Sequence, residues 1–174
     1  MGMTRVFYIV KKNQLTSEKI REKMLEASDY PCYTVFYQET IDWLPVFDEY
    51  YCEGQYNADQ EFMESLEGAF DSPVIALSTF DSDVAFVSIC ENGELHRYVK
   101  ASKCILEEFG FEEYEPVIPT KLEKYVDGKV LQKMWGERYI FAEELLQNLA
   151  QLLNTFLVFD ENDVGEDIEM IYCQ

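Results

Sequence analysis

Three apolar runs, VIALSTF (74–80), DVAFVSIC (83–90) and ELHRYVK (94–100), follow one another with only two or three residues between them. A parallel crossover needs about a dozen residues or more, so connections this short force neighbouring strands to run antiparallel. The second connection, CENGE, carries Asn92-Gly93, the pair best able to adopt the positive φ angles of a tight primed turn. An antiparallel unit in mid-chain is therefore the firmest structural commitment of the sequence.

The remaining segments arrange themselves around it. Alternation in TRVFYIV predicts a strand near residues 4–11, followed by a helix over 16–28 with Thr16 as its N-cap. The aromatic, β-branched run YPCYTVFYQ predicts a strand near 32–38. Pro45 is placed to start a short helix in which Val46, Tyr50 and Glu53 align, with Gly54 ending it. Asn57 and Gln60 suggest an N-cap and capping box for a helix reaching about 69. Beyond the hairpin come a short helix at 101–109 ending on Gly110, the acidic and Pro-flanked connection FEEYEPVIP, and a helix from Thr120 to Trp135 with a weak point at Gly128. RYIFAEELLQNLAQLLNTF (138–156) presents one apolar stripe at helical spacing, and IEMIYC reads as a closing strand. Strands and helices without a regular β-α-β rhythm indicate an α+β fold, a largely antiparallel sheet with helices packed on one face or along its edges. With 174 residues and 48% apolar composition, one domain over 1–174 buries enough surface to need no staple.

Several classes of function are disfavoured by what is missing. The five cysteines, Cys32, Cys52, Cys90, Cys104 and Cys173, are odd in number and scattered, which suits reduced thiols in a cytoplasmic protein better than a secreted disulfide framework. The amino-terminal apolar run is too short for a signal peptide, and Val6 stands where an N-myristoylation motif requires Ser or Thr. No segment approaches the roughly 18 apolar residues that span a bilayer. A single histidine, His96, leaves nothing for zinc sites of several His ligands and reads as an ordinary sheet-face residue. There is no Gly-rich phosphate loop and no G-x-S-x-G, so no cofactor is expected. Residues 160–171 start like an EF-hand loop with Asp160, Asn162 and Gly165, but Val164 and Ile171 occupy positions that need oxygen ligands. Asp81 and Asp83, two residues apart at an expected strand-to-strand turn, could share a divalent cation, although Asp and Ser also favour turns for their backbone hydrogen bonds. Cys104, beside Lys103 at a helix start, is the one thiol in an environment that could activate it, and a plain small hydrophobe is the better reading.

The combination STFDSDVAFVSICENGELHRYVKAS with ERYIFAEELLQNLA resembles a group of uncharacterised bacterial α+β proteins with an Asp-Ser-Asp turn, an Asn-Gly hairpin and a Phe-Ala-x-Glu helix near the C-terminus. The resemblance covers less than half of the chain, implies the same architecture, and brings no catalytic residue with it.

Charge carries the remaining information. The formal net charge is −20, which opposes direct binding to nucleic acid or to anionic membranes. Between Lys23 and Arg97 lie 73 residues without Lys or Arg, where the average frequency predicts about six, and this span holds 16 acids. At its centre is WLPVFDEYYCEGQY (43–56), crowded with rings and carboxylates. If these residues form one solvated face, they suit a cationic partner, since acids steer its approach and tyrosines supply contact area at low entropic cost. The candidate contacts are Tyr37, Glu39, Asp42, Trp43, Asp48, Glu49, Tyr50, Tyr51, Glu53 and Tyr56. The favoured expectation is an acidic protein-interaction module, specifically an immunity- or inhibitor-type protein for a basic partner such as a nucleic-acid-cleaving toxin. A small metal-assisted hydrolase built on Asp81 and Asp83, and a non-catalytic adaptor docking through the helix at 138–156, stay open beside it.

Overall fold

The computed structural model describes residues 2–27, 33–159 and 164–173. Seven strands form one sheet: β1 (Arg5–Lys11), β2 (Tyr33–Tyr37), β3 (Trp43–Phe47), β4 (Val74–Phe80), β5 (Val84–Glu91), β6 (Glu94–Lys100) and β7 (Glu169–Cys173). They lie in the order β6-β5-β4-β1-β3-β2-β7, and every neighbouring pair is antiparallel. The fold is α+β. The expected hairpin is present, with Asn92 at φ 55° and Gly93 at φ 74°. The β4–β5 turn uses the same device, placing Asp81 at φ 48° and Ser82 at φ 59°.

The described residues also form six helices: α1 (Ser17–Ala27), α2 (Glu49–Cys52), α3 (Gln60–Phe70), α4 (Lys103–Phe109), α5 (Gly128–Gly136) and α6 (Ala142–Leu152), with a 3-10 turn at Thr120–Lys124. They cover both faces of the sheet, where the sequence suggested one face or its edges. Val6, Tyr8 and Val10 of β1 pack with Ile20 and Met24 of α1 and Phe62, Met63 and Leu66 of α3. Phe7 and Ile9, on the opposite face, pack with Leu131 and Trp135 of α5 and with Leu145, Leu146 and Leu149 of α6. The cause is visible in the strands. VFYIV of β1 and VIALST of β4 are buried at every position, the signature of strands covered on both sides.

Two other differences concern the centre of the chain. Residues 43–47 form β3, an inner strand, where Pro45 had suggested a helix start. Proline cannot donate to a ladder, which usually keeps it out of inner strands. Here the β2–β3 pairing ends at Val35↔Val46, one step short of Pro45, while Ile9 faces Pro45 from β1. The helix that follows is the four-residue α2, and its N-cap is Asp48, whose Oδ1 accepts from Tyr51 N at 2.9 Å. In α3 the cap is Asp59, accepting from Phe62 N at 2.8 Å, two residues later than expected. Similarly, the stretch from Thr120 to Trp135 is broken before Gly128, where Asp127 caps α5.

Glu67 of α3 ties this helix to the β5–β6 hairpin. Its carboxylate accepts from Asn92 N, from Gly93 N at 3.2 Å and from Cys90 Sγ at 3.2 Å. Burial and the adjacent carboxylate push the Cys90 thiol up to about 12, so it remains a donor at neutral pH. Glu67→Ala is expected to lower the thermal midpoint by roughly 3–6 °C, because three donors lose one acceptor group. Glu67→Gln, which retains one acceptor oxygen, should recover part of that loss in the same calorimetric scan.

Candidate interaction site

The ten residues singled out in the acidic, aromatic tract do not form one face. Trp43 is 1% exposed and Asp48 is 7% exposed, which removes both from any docking surface. Trp43 points into the core beneath α5 and α6, and the Asp48 carboxylate is used as a cap. Tyr51 is half-buried, stacked on Phe62 at 4.3 Å. The others separate to opposite ends of β1. At the Lys12 end are Tyr37, Glu39 and Asp42: the Lys12 ammonium lies 5.3 Å from the Tyr37 ring and donates to the Glu39 carbonyl, and the Asp42 side chain accepts from Asn154 Nδ2 at 3.1 Å. At the Arg5 end is Glu53, 3.3 Å from Arg5, with exposed Glu49 and Tyr50 preceding it and Tyr56 following. The two ends are roughly 20 Å apart, since β1 runs between them at about 3.3 Å per residue. A strand of alternating orientation through the middle of the tract is what divides it.

The Arg5 end acquires a different set of neighbours through folding. The loop at 53–59 lies beside the segment 109–115, and Arg97 of β6 joins them. Its guanidinium donates to Asn57 Oδ1, to the Ala58 carbonyl at 3.0 Å and to the Tyr114 hydroxyl at 3.2 Å, and lies 3.7 Å from Glu113. Tyr114 in turn donates to Asn57 Oδ1 at 2.7 Å. Burial pushes the Tyr114 hydroxyl up to about 12 despite the nearby Arg97, which keeps it a donor. The segment itself is anchored along the outer edge of β6, where Val99 N donates to the Glu115 carbonyl and Glu115 N to the Arg97 carbonyl, each at 2.9 Å. Gly110, at φ 78°, ends α4 and turns the chain into this position.

Two adjoining clefts result. One, of about 760 Å³, is lined by Asp59, His96, Arg97, Glu113 and Glu115 among others; the second, of about 330 Å³, by Tyr56, Phe109, Phe111, Glu112, Glu113 and Tyr114. They share Asn57 and Glu113, so the surface is continuous. Its rim carries Asp59, Glu112, Glu113 and Glu115, all exposed, and the Arg97 side chain among them is only 11% exposed and turned inward. His96 is at the edge of this groove, 3.6 Å from Glu94. An acidic concave surface with aromatic walls can attract and hold cations.

Of the sequence candidates only Tyr56 lines the groove. Glu112, Glu113, Glu115, Phe109 and Phe111 are not among those candidates, although FGFEEYEP has the same ring-and-acid texture as the tract at 43–56. That texture is the signal of these residues in the sequence.

The alternative chemistry meets a different arrangement. Asp81 Oδ1 accepts from Gly2 N at 2.6 Å, while Asp83 lines a separate cavity of about 470 Å³ with Lys100, Ser102, Glu137 and Arg138, to which Asp81 does not contribute. Desolvation holds the Lys100 ammonium below its usual range, and it donates to the carbonyls of Trp135 and Glu137. Ser82, between the two acids, accepts from Met3 N at 2.7 Å and donates to Glu143. The Asp-Ser-Asp turn thus ties the amino-terminal segment to α6. Among the described residues no group of three or more His, Cys, Asp or Glu side chains is placed to hold a metal ion. Asp160 and Asn162 lie outside the described residues. Of the apolar stripe considered as an adaptor face, Leu145, Leu149 and Leu153 are core at 3% exposure or less and Leu152 and Phe156 are half-buried, while Phe141, at the N-cap of α6, is exposed. Among the described residues no helix is long and apolar enough to cross a membrane.

No protein-family model, curated protein or solved structure matches the chain.

Proposed function

We propose that this chain is an acidic protein-interaction module that binds a basic protein partner through the groove between residues 53–60 and 109–115. The observation that supports this reading is the pair of clefts sharing Asn57 and Glu113, rimmed by four exposed carboxylates, with the single guanidinium of the groove consumed internally. Like charges on one concave surface raise encounter rates with an opposite partner and penalise acidic competitors. The finer form of the reading is an immunity- or inhibitor-type role, in which the groove covers basic residues that a nucleic-acid-cleaving partner uses to hold phosphate.

A photo-cross-linking residue at position 112, introduced in cells, tests the proposal. The captured protein is expected to have an isoelectric point above about 9. Binding between the purified pair should weaken at least about tenfold from roughly 50 to 200 mM salt, as screening shortens the reach of each charge. Where the partner cleaves nucleic acid, one equivalent of this chain should suppress that activity. Capture of an acidic partner, or an affinity indifferent to salt, overturns the reading.

A further inference from the structure

The smaller cleft has a composition that the charge of the groove alone does not explain. Tyr56, Phe80, Phe86, Phe109 and Phe111 form one closed circuit of ring contacts: Tyr56–Phe80 at 5.2 Å, Tyr56–Phe86 at 5.3 Å, Phe80–Phe109 at 5.3 Å, Phe86–Phe111 at 5.1 Å and Phe109–Phe111 at 5.9 Å. Within it Phe86 is fully buried, while Phe109 is 53% exposed. The aromatic cluster therefore runs from the core to the floor of an open cleft.

Elsewhere among the described residues eight rings lie under a cation. Arg5 lies over Phe7 and Phe47, Lys11 over Trp43 and Tyr125, Lys12 over Tyr37, Arg97 over Tyr114, and Lys100 over Trp135 and Tyr139. Among the described residues no cation takes such a position over Tyr56, Phe109 or Phe111. The acids beside them are also under-matched. Glu113 has Arg97 at 3.7 Å, and Glu112 takes part in no ion pair among the described residues. Negative ring faces next to a carboxylate favour a cation at this cleft.

We infer that the cleft lined by Tyr56, Phe109 and Phe111 and rimmed by Glu112 and Glu113 receives an arginine side chain of the basic partner. A guanidinium suits it better than an ammonium, because its planar group stacks on an aromatic ring while its fork donates to a carboxylate at the edge. The cleft, at about 330 Å³, has room for that group and its aliphatic stem. This inference rests on the groove reading above and names the side chain that the groove recognises.

Hexa-arginine, hexa-lysine and tetramethylammonium are the probes, titrated into the full chain while NMR follows the ring signals of Phe109 and Phe111 and the amides of Asp59, Glu112 and Glu115. Hexa-arginine is expected to shift all of these saturably and to bind more tightly than hexa-lysine. Phe109→Leu keeps the apolar bulk of an exposed residue without its ring face, and should weaken hexa-arginine about two- to thirtyfold while leaving hexa-lysine within twofold. Glu112→Gln should weaken both peptides. Groove amides that shift with unmoved rings, or equal binding by Phe109→Leu, overturn the arginine inference and leave the groove standing. Shifts confined to other acidic surfaces, such as α3, overturn both. Tighter saturation by tetramethylammonium than by hexa-arginine assigns the cleft to a free small cation and overturns the protein side chain.

Discussion

Truncating Trp43 to alanine is expected to remove about 3–5 kcal/mol of folding stability, because a large ring is lost from a core that closes only partly around the gap. The indole is 1% exposed, meets Tyr125 edge-on at 5.2 Å, and has the Lys11 ammonium 4.9 Å from its centroid. Its own carbonyl accepts from the Thr155 hydroxyl at 2.7 Å, so β3 is also tied to the end of α6. Urea denaturation followed by tryptophan and tyrosine fluorescence measures the loss. Tyr50→Ala is the matched comparison: that ring is 78% exposed, and its removal should move stability by no more than about 0.5 kcal/mol. A Trp43 variant losing under about 1 kcal/mol would show that the ring is not packed where the fold puts it. The pair separates two aromatic residues of one tract, Trp43 buried in β3 and Tyr50 exposed on α2.

Arg97→Ala is expected to destabilise by about 2–3 kcal/mol and to loosen the groove at the same time. The guanidinium provides charge-assisted bonds to Asn57, Ala58 and Tyr114, and its loss leaves the Ala58 carbonyl without that donor. Hydrogen exchange should quicken at the amides of the 57–59 loop and at Glu115, whose N–H donates to the Arg97 carbonyl. Arg97→Lys should restore only a part of the loss, since one ammonium cannot reproduce the fork that spans both segments. Slowed or unchanged exchange in the loop would show that Arg97 does not hold the two walls together. Because Arg97 lies beneath the rim acids, its removal also raises the negative charge of the groove, so partner binding should change in affinity without losing its salt dependence.

The architecture was largely legible because it depends on short-range rules. Connections of two or three residues can only make antiparallel neighbours, Asn92-Gly93 can only make one kind of turn cheaply, and the leucines of α6 recur at the spacing of one helix face. The places where local reading failed are those where tertiary contacts outweigh local preference. Pro45 marks a helix start in isolation, but in the fold its missing donor falls where the β2–β3 ladder has already ended. Asn57 is a good N-cap by type, yet its side chain is engaged by Arg97 and Tyr114, and the cap passes to Asp59.

By itself, the sequence determined the antiparallel sheet, the helices that support it, the large negative charge and the absence of the common catalytic motifs. The tertiary structure alone decided which acids and rings meet. Strand β3 carries the central tract across the sheet and parts its two halves, whereas the edge of β6 brings Glu112, Glu113 and Glu115 next to a loop about 55 residues earlier in the chain. Charge and aromatic content are properties of single residues and are fixed by composition. A binding surface is a property of neighbours, and neighbours distant in sequence are chosen by the register and order of strands that pack to exclude water.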